Sequence, residues 1–249
     1  MAATSQSLPV RLGFLYPGYA AEDDYPYLAE TVVAQSALEV LVVHTSVGED
    51  AHRVDALKDL GSDARLHAGA QELVNQGADL IVWACTSGSF VFGLEGAKAQ
   101  AEQISQAVDL PASSTSLAYL HALETLGISR VAVAATYPED VTARFTGLLE
   151  DTGIQVLAAG SSDVITAAEV GTFAKDRVLQ VAASADHPQA EAVLVPDTAM
   201  HTAAWVEQME ATVGKPVLTA NLVTFWHAMW MAKIAAPTDG LGTLFRQSG

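Results

Sequence analysis

The sequence is short of cysteine and of basic residues. Its 249 residues include one cysteine, Cys85, and 12 lysine and arginine residues against 29 aspartate and glutamate residues, which gives a formal net charge of −17. One cysteine excludes an internal disulfide, so we expect a free thiol in a cytoplasmic protein. Nucleic acid and anionic membranes both bind basic surfaces, and the charge therefore argues against either as a partner.

Long hydrophobic runs are absent as well. No apolar run approaches the roughly 20 residues that cross a bilayer. The N-terminal segment has no basic stretch followed by a long apolar one, so we expect no signal peptide. Half of the residues are hydrophobic and 16% are charged, which indicates a globular protein with a sizeable core. A homo-oligomer remains an open alternative.

Several sequence motifs that mark common enzyme classes are also missing. The chain has no G-x-x-x-x-G-K-[ST] phosphate loop, no G-x-G-x-x-G fingerprint and no G-x-S-x-G elbow. Its seven histidines show no metal-ligand spacing. We therefore expect no nucleotide, flavin or metal cofactor, and a reaction run by side chains alone.

Short apolar runs alternate with longer segments of helical periodicity. This alternation predicts an α/β fold of parallel, flavodoxin-like sheets flanked by helices, with ligands bound at the carboxyl ends of the strands. The predicted strands are Val10–Tyr16, Val40–His44, Leu80–Ala84, Ala112–Ser114, Arg130–Ala135, Gln155–Ala159, Ala192–Val195 and Val217–Ala220. The predicted helices are Leu60–Gln76, Gly93–Ala107, Ser116–Leu126, Pro138–Asp151, Thr202–Thr212 and Leu222–Ile234.

An internal repeat accompanies this pattern. Three strand-end segments recur in the same order, which predicts two pseudo-symmetric halves with a cleft between them. The halves are residues 1–115 with 221–249, and residues 116–220. In this alignment Cys85 and Asp197 are equivalent, each just after a strand and followed by threonine. The matched segments are Leu15-Tyr16-Pro17 with Thr136-Tyr137-Pro138, Leu80–Thr86 with Ala192–Thr198, and Leu110–Ala112 with Lys215–Val217.

The cysteine lies in a segment that favours reactivity. Cys85 begins the turn Cys-Thr-Ser-Gly-Ser before a helical pattern, where free N–H groups and the helix dipole favour a thiolate. A buried structural cysteine is the alternative. Thr86 and Ser87 offer hydroxyl and N–H donors to a carboxylate, or act only as helix caps.

Asp197 and Tyr137 each have two interpretations. Asp197 is either the N-cap of the next helix or an acid–base group facing Cys85. The Tyr137 phenol either binds a substrate carboxylate or packs against a neighbour. The acidic, aromatic run Glu22–Tyr27 covers part of the cleft or is a solvated loop. His44 and His201 lie near strand ends, where a structural role is the simpler interpretation.

These residues resemble the aspartate/glutamate racemase superfamily, and within it the arylmalonate decarboxylase and maleate isomerase branch. The resemblance covers almost the whole chain. It is carried by Gly13–Pro17, Cys85–Ser87, Leu110-Pro111 through Ser114-Thr115, Arg130–Ala132 through Tyr137, Asp140-Val141, Gly214–Val217 and Phe225-Trp226.

The resemblance implies a cofactor-independent enzyme with a small carboxylate held in the interdomain cleft. Residues matching its catalytic pair are Cys85 and Asp197, and those matching its carboxylate-binding residues are Thr86, Ser87, Tyr137 and Thr198, with Pro17 in the loop after the first strand. The chain departs from the pattern at Asp197, where racemases, maleate isomerases and arylmalonate decarboxylase have cysteine. At the position of Cys85 the decarboxylase has glycine.

Three functions stay open at this level. The first is an isomerase or racemase that acts next to a carboxylate, with Cys85 as nucleophile or base and Asp197 as its acid–base partner. The second is a decarboxylase of a malonate-type diacid, in which Cys85 supplies the proton. The third is a non-catalytic small-carboxylate binding protein.

Overall fold

The fold is built on two parallel sheets. The computed structural model describes residues 8–247 apart from 33, 35, 36, 163 and 165. In that part of the chain eight strands form two four-stranded sheets. Each predicted strand is confirmed, with its ends within two residues of the expected ones. The strands are Val10–Pro17 (β1), Leu38–Thr45 (β2), Leu80–Trp83 (β3), Ala112–Ser114 (β4), Arg130–Ala134 (β5), Gln155–Gly160 (β6), Ala192–Val195 (β7) and Val217–Thr219 (β8).

The two sheets have the same topology. The first has the order β2-β1-β3-β4 and the second β6-β5-β7-β8, with parallel pairing between the neighbours in each. Adding four to each strand number of the first sheet gives the second, so the predicted repeat is confirmed at the level of the sheets. The order is that of the first four strands of a flavodoxin-like sheet. The domain limits, 1–115 with 221–249 and 116–220, stay a prediction.

Helices flank both sheets. The central strands β3 and β7 are buried along their whole length, as expected for apolar strands covered on both faces. Of the helices described, none is long and apolar enough to span a membrane. They are Asp24–Thr31 (α1), Val54–Leu60 (α2), Asp63–Asn75 (α3), Ser87–Phe90 (α4), Gly93–Val108 (α5), Thr115–Leu126 (α6), Glu139–Glu150 (α7), Ala167–Val170 (α8), Lys175–Ser184 (α9), Val206–Val213 (α10), Ala220–Met231 (α11) and Gly242–Gln247 (α12).

One predicted helix begins later than expected. The predicted segment Leu60–Gln76 corresponds to α3, which begins at Asp63, while Leu60 is the last residue of α2 and is followed by Gly61. A Cβ atom at Gly61 would lie 2.1 Å from the carbonyl oxygen of Gly88, so only glycine allows this close approach. The side-chain amide of Gln100 donates hydrogen bonds to the carbonyls of both glycines, at 2.8 and 3.0 Å. The break therefore holds α2 against the turn that carries Cys85.

The run Glu22–Tyr27 forms neither a cleft cover nor a solvated loop. Helix α1 begins at Asp24, and the side chains of Asp24 and Tyr25 are buried. One carboxylate oxygen of Asp24 accepts hydrogen bonds from Thr202 N–H and from the amide of Asn221, both at 2.9 Å. The segment therefore anchors both the chain after β7 and the start of α11, because Asp24 accepts hydrogen bonds from each of them.

Candidate active site

Cys85 lies two residues beyond Trp83, the last residue of β3. Its side chain is 2% exposed, and its Sγ atom accepts a hydrogen bond from Gly88 N–H at 3.3 Å. The hydroxyl of Ser87 lies 3.8 Å from the same sulfur. The turn into α4 thus folds its own donors around the thiol.

Burial raises the pKa of the Cys85 thiol to about 11. The Gly88 N–H and the Ser87 hydroxyl lower that pKa, and the charge of Asp197 raises it further. The prediction that a helix start would favour the thiolate is wrong, because α4 is a single turn and desolvation outweighs its donors. Cys85 is therefore a protonated thiol at neutral pH.

Asp197 occupies the equivalent position in the second half, two residues beyond the end of β7 at Val195. One carboxylate oxygen accepts a short hydrogen bond from the hydroxyl of Thr136, and the other accepts Ala199 N–H at 2.9 Å. Asp197 does not cap the predicted helix: a 3-10 turn starts at Ala203 and α10 only at Val206. Its hydrogen bonds hold the carboxylate in one orientation.

Three buried tyrosines fix the chain around Asp197. The phenol of Tyr119 donates to the carbonyl of Val195 at 2.7 Å, and that of Tyr137 to the carbonyl of Pro196 at 2.7 Å. Tyr16 donates to the carbonyl of Thr198 at 2.9 Å. Burial raises the pKa of all three phenols well above 10.0, which keeps them protonated as donors. The turn after β7 is therefore rigid.

A cavity of about 200 Å³ brings most of the predicted site residues together. It opens where the carboxyl ends of β1, β3 and β7 meet, the edge at which parallel sheets of this kind bind ligands. The predicted residues that line it are Pro17, Cys85, Ser87, Asp197 and Thr198.

Two predicted substrate-binding residues lie behind the cavity wall. The side chain of Thr86 is fully buried, and Tyr137 is 1% exposed with its phenol directed at Pro196. Neither is among the residues that line the cavity. Their predicted contact with a substrate stays a prediction, while the hydrogen bond from Tyr137 to Pro196 supports the wall of the cavity.

Several known proteins are similar to this chain in sequence. The sequence model of a family described as arylmalonate decarboxylase matches residues 59–245. The chain belongs to the arylmalonate decarboxylase family. The arylmalonate decarboxylase of Bordetella bronchiseptica is 29% identical over 185 residues, which are 72% of this chain and 76% of that protein. The maleate isomerase of Alcaligenes faecalis is 24% identical over 230 residues, 88% of this chain and 89% of that one.

Solved structures share the same fold. A maleate isomerase from Pseudomonas putida S16, crystallised with maleate, superimposes with a TM-score of 0.87 at 20% identity, over 96% of this chain and 98% of that one. A variant of Nocardia farcinica maleate cis-trans isomerase with a covalently bound succinylcysteine intermediate gives 0.88 at 19% identity, over 96% and 99%. A liganded arylmalonate decarboxylase variant gives 0.84 at 22%, over 96% and 100%.

In this arylmalonate decarboxylase family member, residues without a recognised sequence signal complete the cavity. Leu57 and Leu60 line one side, and Ala167 and Ala168 line another. The carboxylate of Asp50, from the first half, accepts the N–H groups of Ala167 and Ala168 at 3.0 and 3.2 Å. This contact joins the two halves over the cavity. No periodicity or motif marks these residues as part of a cavity, because their proximity depends on how the halves pack.

The two histidines considered from the sequence have structural contacts outside the cavity lining. The ring of His44 hydrogen-bonds the carbonyl of Gly18 and stacks on Tyr19, with ring centroids 4.0 Å apart. His201 contacts the carboxylate of Asp23 at 2.8 Å. The simpler interpretation of both residues therefore agrees with their observed contacts.

A second, larger groove of about 560 Å³ lies beside α11 in this family member. It is lined mainly by apolar side chains, among them Trp226, Trp230 and Phe245. It contains neither Cys85 nor Asp197 and none of the donors predicted to bind a carboxylate. The smaller cavity is therefore the candidate active site, since it holds the reactive groups.

Proposed function

We propose that this protein is a cofactor-independent isomerase or racemase that moves a proton at the carbon next to a carboxylate. The single observation behind the proposal is that Cys85 and Asp197 line one cavity, each two residues beyond equivalent strands. A thiol and a carboxylate from different halves can serve opposite faces of one bound carbon.

The protonation state of the thiol sets the direction of transfer. Because burial raises the pKa of Cys85 to about 11, the thiol begins as the acid. Asp197 then takes the proton from the substrate carbon, and the electron pair of the broken C–H bond moves into an enediolate. The S–H bond of Cys85 breaks as a new C–H bond forms on the opposite face. Proton exchange with solvent restores the thiol and the carboxylate.

Donors around the cavity would stabilise the enediolate. Ser87 and Thr198 line the cavity together with the catalytic pair. Negative charge grows on the substrate carboxylate as the proton leaves, so donors aimed at that group lower the barrier. The sequence resemblance assigns the same task to Thr86 and Tyr137.

The relatives support a role for the cysteine. In the Nocardia maleate isomerase variant a cysteine carries a succinyl group, so a cysteine of that fold reacts with its substrate. The related maleate isomerase and arylmalonate decarboxylase act, by their names, on small carboxylates. A small carboxylate is accordingly the substrate class that we propose here.

A decarboxylase is the second candidate, and the protonated thiol favours it. Loss of carbon dioxide from a malonate-type diacid needs no base, because the electron pair of the broken C–C bond forms the enediolate. Cys85 would then supply the one proton that the product needs. The family match to arylmalonate decarboxylase is consistent with this reaction.

A single set of assays tests the proposal. Substrate panels of 2-substituted carboxylic acids and malonates are incubated in deuterium oxide, and deuterium at the α-carbon and released carbon dioxide are measured. Deuterium without carbon dioxide supports the isomerase or racemase, and carbon dioxide release supports the decarboxylase. We expect Cys85→Ala to lower turnover by about 10²–10⁴-fold, the usual contribution of a general acid.

A matched variant separates chemistry from folding. Cys85→Ser keeps the size of the side chain but supplies a much weaker acid, so it should lose turnover as Cys85→Ala does while unfolding like the wild type. Binding of small carboxylates without deuterium exchange or carbon dioxide release by the wild type would instead favour the non-catalytic binding protein.

A further inference from the structure

His52 is a buried imidazole in the wall of the candidate active site. It lies in the loop between β2 and α2, lines the cavity and is 7% exposed. Its Nδ1 atom lies 3.1 Å from the carbonyl oxygen of Val164, which belongs to the other half. Its ring also meets Tyr137 edge to face, with centroids 5.0 Å apart at 87°. These contacts hold the ring in place.

The contact with Val164 determines which nitrogen carries the proton. A carbonyl oxygen only accepts hydrogen bonds, so Nδ1 carries the hydrogen and donates it. The Nε2 atom of His52 makes no hydrogen bond to the described part of the chain. In the neutral ring Nε2 is an acceptor, and in the imidazolium it is a charged donor. The cavity therefore contains one side chain whose polarity reverses on protonation.

The charge around the cavity makes this reversal important. Among the described lining residues there is no lysine or arginine. The neighbouring Arg53 is exposed and paired with Glu49 and Asp55. Tyr137 packs against the His52 ring from the second half. The other titratable groups that line the cavity are Tyr16, Tyr19, Glu49, Asp50, Cys85 and Asp197. None of these becomes positive, so a second substrate carboxylate has one partner of opposite charge.

We propose that His52, as the imidazolium, binds the second carboxylate of a dicarboxylate substrate, and that the protein takes up a proton when such a diacid binds. The inference rests on the proposed function, in which the cavity binds one carboxylate beside Cys85. An acid with a single carboxylate needs no such partner, and its binding leaves the proton count unchanged. His52 thus discriminates diacids from monoacids according to pH.

Isothermal titration calorimetry with succinate and butyrate tests the inference. The two probes have the same carbon chain and differ in one carboxylate. At pH 8, in buffers of different ionisation enthalpy, succinate should bind with net proton uptake, because its second carboxylate pairs with the protonated form of the ring. Its Kd should rise with pH between pH 7 and pH 9, because only the protonated form of His52 binds the second carboxylate. The Kd of butyrate should stay constant.

His52→Gln should abolish both the proton uptake and the pH dependence of succinate binding. His201→Gln is the matched control, because its imidazole pairs with Asp23 outside the cavity. Proton uptake is measured on the wild-type protein, so this part of the test does not depend on whether His52→Gln folds. Succinate binding without proton uptake, or uptake that persists in His52→Gln, overturns the inference alone. Failure of both acids to bind overturns the proposed carboxylate site as well.

Discussion

The hydroxyl of Thr136 donates a hydrogen bond to one carboxylate oxygen of Asp197, and both side chains are buried at the edge of the candidate active site. Thr136 follows β5 and Asp197 follows β7, which are neighbours in the second sheet. The sheet register therefore brings the donor to the acceptor. Thr136 is a positioning residue, because it acts on the site through Asp197.

Thr136→Val should weaken both stability and activity. Valine keeps the branched shape but leaves a buried carboxylate oxygen without its donor, a loss of about 1.5–3 kcal/mol in the free energy of unfolding. We expect turnover to fall about tenfold or more, since Asp197 is then free to rotate. Urea denaturation and steady-state kinetics check both effects. Thr136→Ser keeps the hydroxyl donor, so its stability and turnover should be close to those of the wild type. Equal losses in Thr136→Val and Thr136→Ser would contradict this role.

The thiol of Cys85 should react slowly in the folded protein. With a pKa of about 11, raised mainly by burial, about 0.1% of the thiol is ionised at pH 8. The rate of iodoacetamide alkylation should therefore keep rising about tenfold per pH unit up to pH 10. The unfolded protein is the control and should level off near the ordinary thiol pKa of about 8.5. A plateau below pH 9 in the folded protein would disprove the raised value.

Asp197→Asn should lower the pKa of Cys85. Desolvation is the main cause of the raised pKa, and the charge of Asp197 adds to it, so removing that charge leaves only a smaller shift. The alkylation profile should move to lower pH relative to the wild type. Asp23→Asn is an exposed control, and its profile should coincide with that of the wild type. An unchanged profile in Asp197→Asn would mean that the two groups do not interact.

Asp24 should make the protein less stable as the pH rises. Burial raises the pKa of Asp24 above 3.8, while its hydrogen bonds with Asn221 and the N–H groups of Thr202 and Ala203 lower it. A group with a raised pKa in the folded state contributes stability below its unfolded pKa and loses it as the pH passes the folded value.

Asp24→Asn removes this pH dependence but keeps an acceptor oxygen for Thr202 N–H. The unfolding free energy of the variant minus that of the wild type should therefore increase from pH 4 to pH 8. Urea titrations at both pH values measure the difference. A difference that stays constant or decreases with pH would contradict the raised pKa.

We expect Asp50 to help close the cavity. Its carboxylate accepts the N–H groups of Ala167 and Ala168, and it links the first half to α8 in the second. Asp50→Ala removes these acceptors, and we expect a stability loss of about 1 kcal/mol together with a higher KM and little change in kcat. Asp55→Ala is the control, because Asp55 pairs with the exposed Arg53. A lower kcat at constant KM would argue for a catalytic role instead.

Local sequence patterns were sufficient to predict the strands. Apolar runs such as Leu80–Trp83 and Ala192–Val195 are buried on both faces, so their composition alone identifies them as central parallel strands. Helix ends were harder to predict. Gly61 ends α2 because of a contact with Gly88, which is distant in the sequence, and no periodicity reveals that contact.

The sequence by itself determined the α/β fold, the internal repeat and the equivalence of Cys85 with Asp197, because strand composition and turn residues are local properties. The tertiary structure alone decided the protonation of Cys85, the orientation of Asp197 by Thr136 and the presence of His52 in the cavity wall. These features depend on desolvation and on contacts between the halves. Such contacts join residues far apart in the chain, and their effect exists only once both sheets are packed.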